Sequence, residues 1–345
     1  DSGSADVVDI RYPVAENIHQ VAKAKGSASI RLLEPSALKR RTAHGVVLIM
    51  VQGARPGRVF FPTPDRMSRL ATGKVLQPLN RSYIPNLEKT IWPALQDPFY
   101  DKGSQYTVPY VTYTTGIGYR KDKLKAEPGS LANPYEIFWE GGYKGKTWLL
   151  DDAREAISMV LLKNGNTDLN TEDRDTITKA SDELIELIDL VNVKVSTEDY
   201  TKVPEGEAWI HQAWSGSMVA APYYLPKGTS PDTLGYWYPP EGGGAIGSDT
   251  MAVLRSAKSP VLAHHFLNFM LDDRVSYENF SWVGYQPPLK SINPERLVTD
   301  EIIPPNLAAA VVRESDFVKG YQELELSPAG AKVWQDAWAA FKAGG

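Results

Sequence analysis

Short, unbroken apolar runs alternate with stretches of helical periodicity, and this constrains the fold more than any other feature of the chain. Val7–Tyr12 and Ala28–Leu33 read as strands with a helix, Ala15–Lys25, between them, and a basic, helical piece at Ala37–Thr42 precedes the continuous run Val46–Val51. Runs without polar interruption fit strands buried on both faces, as in parallel sheets, so the alternation predicts βαβ units. Val46–Val51 is the longest strongly apolar run and falls far short of the roughly 20 residues that span a bilayer, so no membrane-spanning helix is expected.

The same grammar continues downstream. Val59–Phe61 reads as a strand that stops at Pro62-Thr63-Pro64-Asp65, and from Arg66 the chain is free to start a helix. A second α/β region begins near Val108. Tyr110–Tyr119 and Lys146–Leu150 are strand-like, and the latter leads into Asp151-Asp152-Ala153-Arg154-Glu155, where aspartate followed by glutamate marks a helix start. Ile177, Ala180, Leu184, Ile188 and Val191 keep the spacing of one amphipathic helix. Leu234–Tyr238 and Met251–Leu254 read as strands, and Ser259-Pro260 and Ser327-Pro328 as cap-plus-first-residue helix starts. Trp334, Trp338 and Phe341 share a stripe of the last helix.

At 345 residues the chain is too long for one ordinary core and suits two domains of roughly 150 residues. With no long linker and no internal repeat, the chain is expected to cross between two lobes more than once. Its composition is that of soluble globular proteins. Lys plus Arg number 37 against 42 acids, a net charge of -5, which argues against nucleic acid or an anionic membrane as partner. The absence of cysteine excludes disulfides, thiolate nucleophiles and zinc-thiolate sites. The start, Asp1-Ser2-Gly3-Ser4, reads as a trimmed, mature product.

Enzyme signatures are absent: no phosphate loop, no nucleophile elbow, no histidine pair at metal spacing. Adjacent His264 and His265 point to different helix faces and read as packing or surface residues. The glycines between Gly242 and Gly247 lack dinucleotide-binding order and read as a loop. Asp151, Asp152 and Glu155 have an innocent reading as cap and first-turn acids. They also have a functional one, because Asp152 and Glu155 share a helical face at a strand's carboxyl end, where α/β sheets bind ligands. Trp214, in Ala213-Trp214-Ser215-Gly216-Ser217, is either core or an aromatic wall. Asp249 is either a turn aspartate or an acid at the rim of a cleft.

The order of these segments resembles the spermidine/putrescine-binding proteins of bacterial ABC transporters, two-lobed extracellular solute-binding proteins. The resemblance rests on Phe61-Pro62-Thr63-Pro64-Asp65, Val108-Pro109-Tyr110, Thr115-Gly116-Ile117-Gly118-Tyr119, and Tyr143-Lys144-Gly145-Lys146 leading to Leu149–Glu155. Ala213–Ser217, Pro240-Glu241-Gly242-Gly243, Ser248-Asp249, His265–Leu271 and Gly284-Tyr285 extend it, so that it covers residue 59 to the end.

The resemblance implies an α/β periplasmic-binding-protein fold of type II with a ligand cleft between lobes. Residues 1–113 and 248–293 would form the first lobe, and 114–247 and 294–345 the second. It implies that Asp152, Glu155 and Asp249 meet the amines of a polyamine, that Trp214 and Tyr285 flank its spacer, and that Thr63–Asp65 form a ligand-lining turn, although Asp65 departs from the usual family residue. It implies a secreted or lipid-anchored protein of the periplasm or cell surface, a monomer, delivering its ligand to the membrane permease of an ABC importer, with no catalytic residue, metal or cofactor.

Three departures qualify the match. A family tryptophan two residues before the key acid corresponds to Gly247, which would open one wall to something wider than a polyamine. A family glutamine falls near Leu326. Residues 1 to about 58 lack the family's Asn-Trp strand end, and only Tyr12 and Glu16 stand there as geometric candidates. Two alternatives stay open: the same fold with a sugar, opine, amino-acid derivative or anion, and a hydrolase ligating a divalent cation through Asp151, Asp152, Glu155 and Asp249.

Overall fold

The computed structural model describes residues 46–49 and 57–344. The expected elements from Val7 to Thr42, and with them Tyr12 and Glu16, lie outside the described residues. Nine strands are seen among the described residues: β1 Val46–Ile49, β2 Gly57–Phe60, β3 Thr107–Arg120, β4 Thr147–Leu149, β5 Lys194–Val195, β6 Ile210–Trp214, β7 Leu234–Trp237, β8 Ala245–Val253 and β9 Tyr321–Gln322. They occur with helices in two compact units, and β3 and β8 run through both. One unit takes the described residues up to Val111, Ser248–Val283 and Pro287–Ile292; the other takes Thr112–Gly247, Gly284–Gln286 and the described chain from Asn293 onward.

In the first unit β1 pairs with β2 and β2 with β8, both antiparallel, with Val46 opposite Phe60 and Val59 opposite Val253. This corrects the parallel pairing expected for the run at Val46. An unbroken apolar run reports burial on both faces, not the direction of the neighbouring strand. A small core of Met67, Leu76 and Ala252, with Phe60, Leu70 and Leu254 against it, lies beside these strands. The helix Pro260–Met270 begins with proline at its first residue, as read from the sequence. His264 is structural: Nε2 accepts the Asn80 N–H at 2.9 Å, and Nδ1 lies 2.7 Å from the Pro260 carbonyl.

The second unit mixes both pairings. β3 pairs antiparallel with β6 and β7, while β4 runs parallel to β5 and β6, and β8 to β9. The amphipathic helix is Arg174–Val191, capped by Asp173, whose Oδ2 accepts the Thr176 N–H at 2.8 Å. It buries Ile177, Ala180, Leu184, Leu187 and Val191 against the final helix, Pro328–Ala343, and the helix Ala153–Lys163. Trp334 and Phe341 are core and Trp338 packs at its margin, the stripe expected from their spacing. Burying a side chain of this kind contributes about 1.5–3 kcal/mol, so this core gives the elements around Glu155 a rigid base.

Candidate functional site

In the second unit β4 ends at Leu149, and Asp152 caps the helix Ala153–Lys163: its Oδ1 accepts the backbone N–H groups of Arg154 at 2.8 Å and Glu155 at 3.2 Å. The cap aims the first turn so that Glu155 is buried, 8% exposed, while Asp152 stays exposed. A buried carboxylate needs donors. Glu155 finds them in the Trp214 indole, whose Nε1 donates to Oε1 at 2.7 Å, and in the Thr115 hydroxyl. Burial, and then the negative charge of Asp152, push the Glu155 carboxyl up to about 7, against those two hydrogen bonds, which favour the ionised form. Gln212 supports the turn from below, donating to the Glu155 carbonyl at 2.7 Å.

Trp214 is the last residue of β6, and the helix Ser215–Ala220 follows without a linker, so the small residues Ser215-Gly216-Ser217 make a tight strand-to-helix turn. Its ring is partly buried and lies edge-on to Tyr113, with centroids 6.4 Å apart; Tyr113 in turn meets Tyr285 at 6.0 Å. Two glycines make room for these rings. A β-carbon on Gly216 would stand 2.4 Å from the Tyr285 ring, and one on Gly247 2.4 Å from Tyr113. Gly247 therefore leaves no opening. The Tyr113 ring stands where a side chain at position 247 would begin, which corrects the expectation of a widened wall. Leu326 is 7% exposed and belongs to the core.

In the first unit Asp249 sits within β8, not in a turn: the strand runs from Ala245 through Gly247 to Val253. Next to it, Thr250 donates both its N–H, at 3.0 Å, and its hydroxyl, at 2.7 Å, to the carbonyl of Pro62. These bonds pin the turn of Thr63 and Asp65 beside Asp249. Burial, and then the charge of Asp65, push the Asp249 carboxyl up to about 7. Tyr110 is close enough to Asp249 to feel its charge; its hydroxyl accepts from Asn279 at 3.2 Å and its ring packs edge-on to Phe61 at 5.0 Å.

The second unit thus carries a buried carboxyl, Glu155, and the first a partly buried one, Asp249, each with a second acid and aromatic rings near it. In the second unit the nearby cations are committed elsewhere: Arg154 donates to the Leu169 carbonyl and Asn170 and lies over the Trp334 ring, and Lys342 pairs with Asp151 at 2.7 Å; in the first, Arg66 Nε lies 3.7 Å from Asp65. Among the described residues neither Glu155, Asp152 nor Asp249 is in an ion pair, and no cluster of three or more His, Cys, Asp or Glu is placed to hold a metal ion.

A family model for bacterial extracellular solute-binding proteins matches residues 48–305. The chain belongs to that family. The spermidine/putrescine-binding periplasmic protein 1 of Haemophilus influenzae is 30% identical to this solute-binding protein over 71% of the chain and 64% of its own length. The spermidine/putrescine-binding periplasmic protein of Escherichia coli is 26% identical over 82% of the chain and 76% of its own length. Among solved structures, a putative spermidine/putrescine ABC transporter protein of Listeria monocytogenes superposes with a TM-score of 0.68 at 23% identity, covering 84% of this chain and 85% of that one. That likeness shows the fold, the mixed α/β architecture of the periplasmic binding proteins. Among the described residues no helix is long and apolar enough to cross a membrane.

The structure of this solute-binding protein brings Glu155, Asp152, Trp214 and Tyr285 into one neighbourhood of the second unit, and Asp249, Asp65 and Thr63 into one of the first. Sequence reasoning missed Tyr113 and Tyr110. Both sit in a strand dense with aromatic and β-branched residues, where pattern alone does not separate a wall from a core. The signal for Tyr113 was Gly247 itself: a glycine inside a strand marks close approach by another group.

Proposed function

We propose that this protein captures a polyamine of the putrescine or spermidine kind and delivers it to the membrane permease of an ABC importer, working as a monomer in the periplasm or at the cell surface and without catalysis. The observation that carries this reading is the state of Glu155 and Asp249. Glu155 is buried and Asp249 partly buried, each is pushed up by burial first and by a neighbouring acid second, and neither is in an ion pair among the described residues. Such a group is costly when ionised and empty, and an organic ammonium removes that cost by supplying charge and hydrogen-bond donors together. One ammonium would meet Glu155 with Asp152, and another Asp249 with Asp65, while Trp214, Tyr285 and Tyr113 offer ring faces and edges to the methylene spacer. Charge-assisted bonds contribute about 1.5–3 kcal/mol each, and cation–π contacts about 0.5–2 kcal/mol.

The names of the relatives agree with this chemistry. Titration calorimetry with putrescine, spermidine and a panel of neutral and acidic solutes tests the reading. Submicromolar to micromolar binding of the amines is expected; binding of neutral or acidic solutes alone would remove it.

A further inference from the structure

Asp199 begins the short helix Asp199–Lys202 and is fully buried, 0% exposed. Its Oδ2 accepts the backbone N–H of Trp214 at 3.0 Å, and the Ser217 hydroxyl hydrogen-bonds the same carboxyl. Ser217 Oγ also lies 3.1 Å from the hydroxyl of Tyr285. A hydroxyl has one proton to give. When Ser217 donates to Asp199 it must accept from Tyr285, so the bonds run in one direction: Tyr285 to Ser217 to Asp199.

The remaining oxygen, Oδ1, has no hydrogen-bond partner among the described residues. Leaving a buried acceptor unsatisfied costs about 1–3 kcal/mol, and an asparagine or serine could take the Trp214 N–H without a charge. A carboxyl is an expensive choice for a purely structural anchor, and burial pushes this one up to about 7. What a carboxyl supplies and a neutral amide does not is a charged oxygen, Oδ2, able to accept strongly from two donors at once, the Trp214 N–H and the Ser217 hydroxyl on which the relay ends.

We propose that Asp199 is a positioning residue of the ligand site, fixing Trp214 through its backbone and Tyr285 through Ser217, so that one buried carboxyl sets both aromatic walls. The inference rests on the assignment of those two rings to the polyamine. Trp214 is then held at both ends, its N–H by Asp199 and its indole by Glu155.

The test places a single 3-fluorotyrosine at position 285 and follows its 19F resonance in the ligand-free protein, alongside putrescine calorimetry and thermal melting. Asp199→Asn keeps the shape but leaves Trp214 and Ser217 only a neutral amide oxygen in place of the ionised Oδ2, which weakens both bonds. It should shift or broaden the resonance and weaken putrescine roughly tenfold, about one hydrogen bond's worth. Ser217→Ala should do the same, and the double variant should be no worse than the weaker single one, because both cut one chain.

An unmoved resonance in both variants, or fully additive losses, would overturn the inference while leaving the polyamine reading standing. A responsive resonance in a protein that binds no polyamine would do the reverse. Should Asp199→Asn fail to fold, Ser217→Ala carries the test from the other end of the relay.

Discussion

The hydroxyphenyl ring of Tyr113 lies where a side chain at Gly247 would go: a β-carbon on Gly247 would stand 2.4 Å from its Cζ and 2.5 Å from its hydroxyl oxygen. The two positions form one wall from two strands, β3 and β8. Gly247→Ala should therefore displace the ring. Overpacking of this kind costs about 1–3 kcal/mol, and putrescine affinity should fall along with the melting temperature. Gly247→Trp should be worse alone and recover when combined with Tyr113→Ala, which clears the space. Calorimetry of the four proteins checks this, and equal loss in Gly247→Trp with or without Tyr113→Ala would refute the shared wall.

Asp249 offers a separation of binding from stability. In the empty protein at pH 8 it is an ionised group held near Asp65 and partly withdrawn from water. Asp249→Asn removes that repulsion while leaving the strand β8 and the Thr250 contacts to Pro62 in place. Diamine affinity should drop more than tenfold, roughly the loss of one charge-assisted bond, while the melting temperature of the ligand-free protein at pH 8 stays level or rises. Unchanged affinity would reduce Asp249 to a strand residue with no part in the site.

The segments that were legible in the sequence are those whose local pattern and tertiary role agree. Arg174–Val191 shows its buried stripe in its spacing, and Asp152 declares itself as a cap because a carboxylate before a helical run has donors to satisfy. Asp249 was harder: glycines stand close before it, so the chain looks like a loop up to Met251, whereas the strand passes through Gly247 because Tyr113 needs that space. Asp199 was invisible. It sits in the polar stretch Ser196-Thr197-Glu198-Asp199-Tyr200, which reads as solvated surface, and only the approach of Trp214 and Ser217 from β6 and its following helix makes it an interior group. Pairing direction was equally hidden, since apolar runs encode burial and not the partner's sense.

Three carboxyls, Glu155, Asp249 and Asp199, are pushed up to about 7 by burial first. The folded state therefore binds these protons more tightly than the unfolded chain, whose carboxyls titrate near 4. Their stabilising contribution is fully present below about pH 4 and is lost as the pH rises through about 7. The ligand-free protein should accordingly melt several degrees lower at pH 8 than at pH 5.5. Asp249→Asn and Asp199→Asn should each flatten that slope. A melting temperature that rises steadily over the same interval in the wild type would contradict the burial of these groups.

The same titration dictates how a polyamine binds. An ammonium prefers ionised carboxylates, so near pH 7, where raised Glu155 and Asp249 still hold protons in the empty protein, binding a diamine should release protons. Calorimetry in buffers of different ionisation enthalpy measures this release directly. Affinity should fall as the pH drops below 7, and Glu155→Gln should reduce the release. Trp214→Phe makes the sharper test, because the indole bond to Glu155 favours the ionised form. Removing the donor should push Glu155 higher, move the midpoint of the pH dependence upward and increase proton release at pH 7, besides weakening binding roughly tenfold. Tyr285→Phe, which leaves the indole bond untouched, should weaken binding without moving that midpoint. A midpoint that shifts equally in both variants, or in neither, would mean that the Trp214 indole does not govern the charge of Glu155.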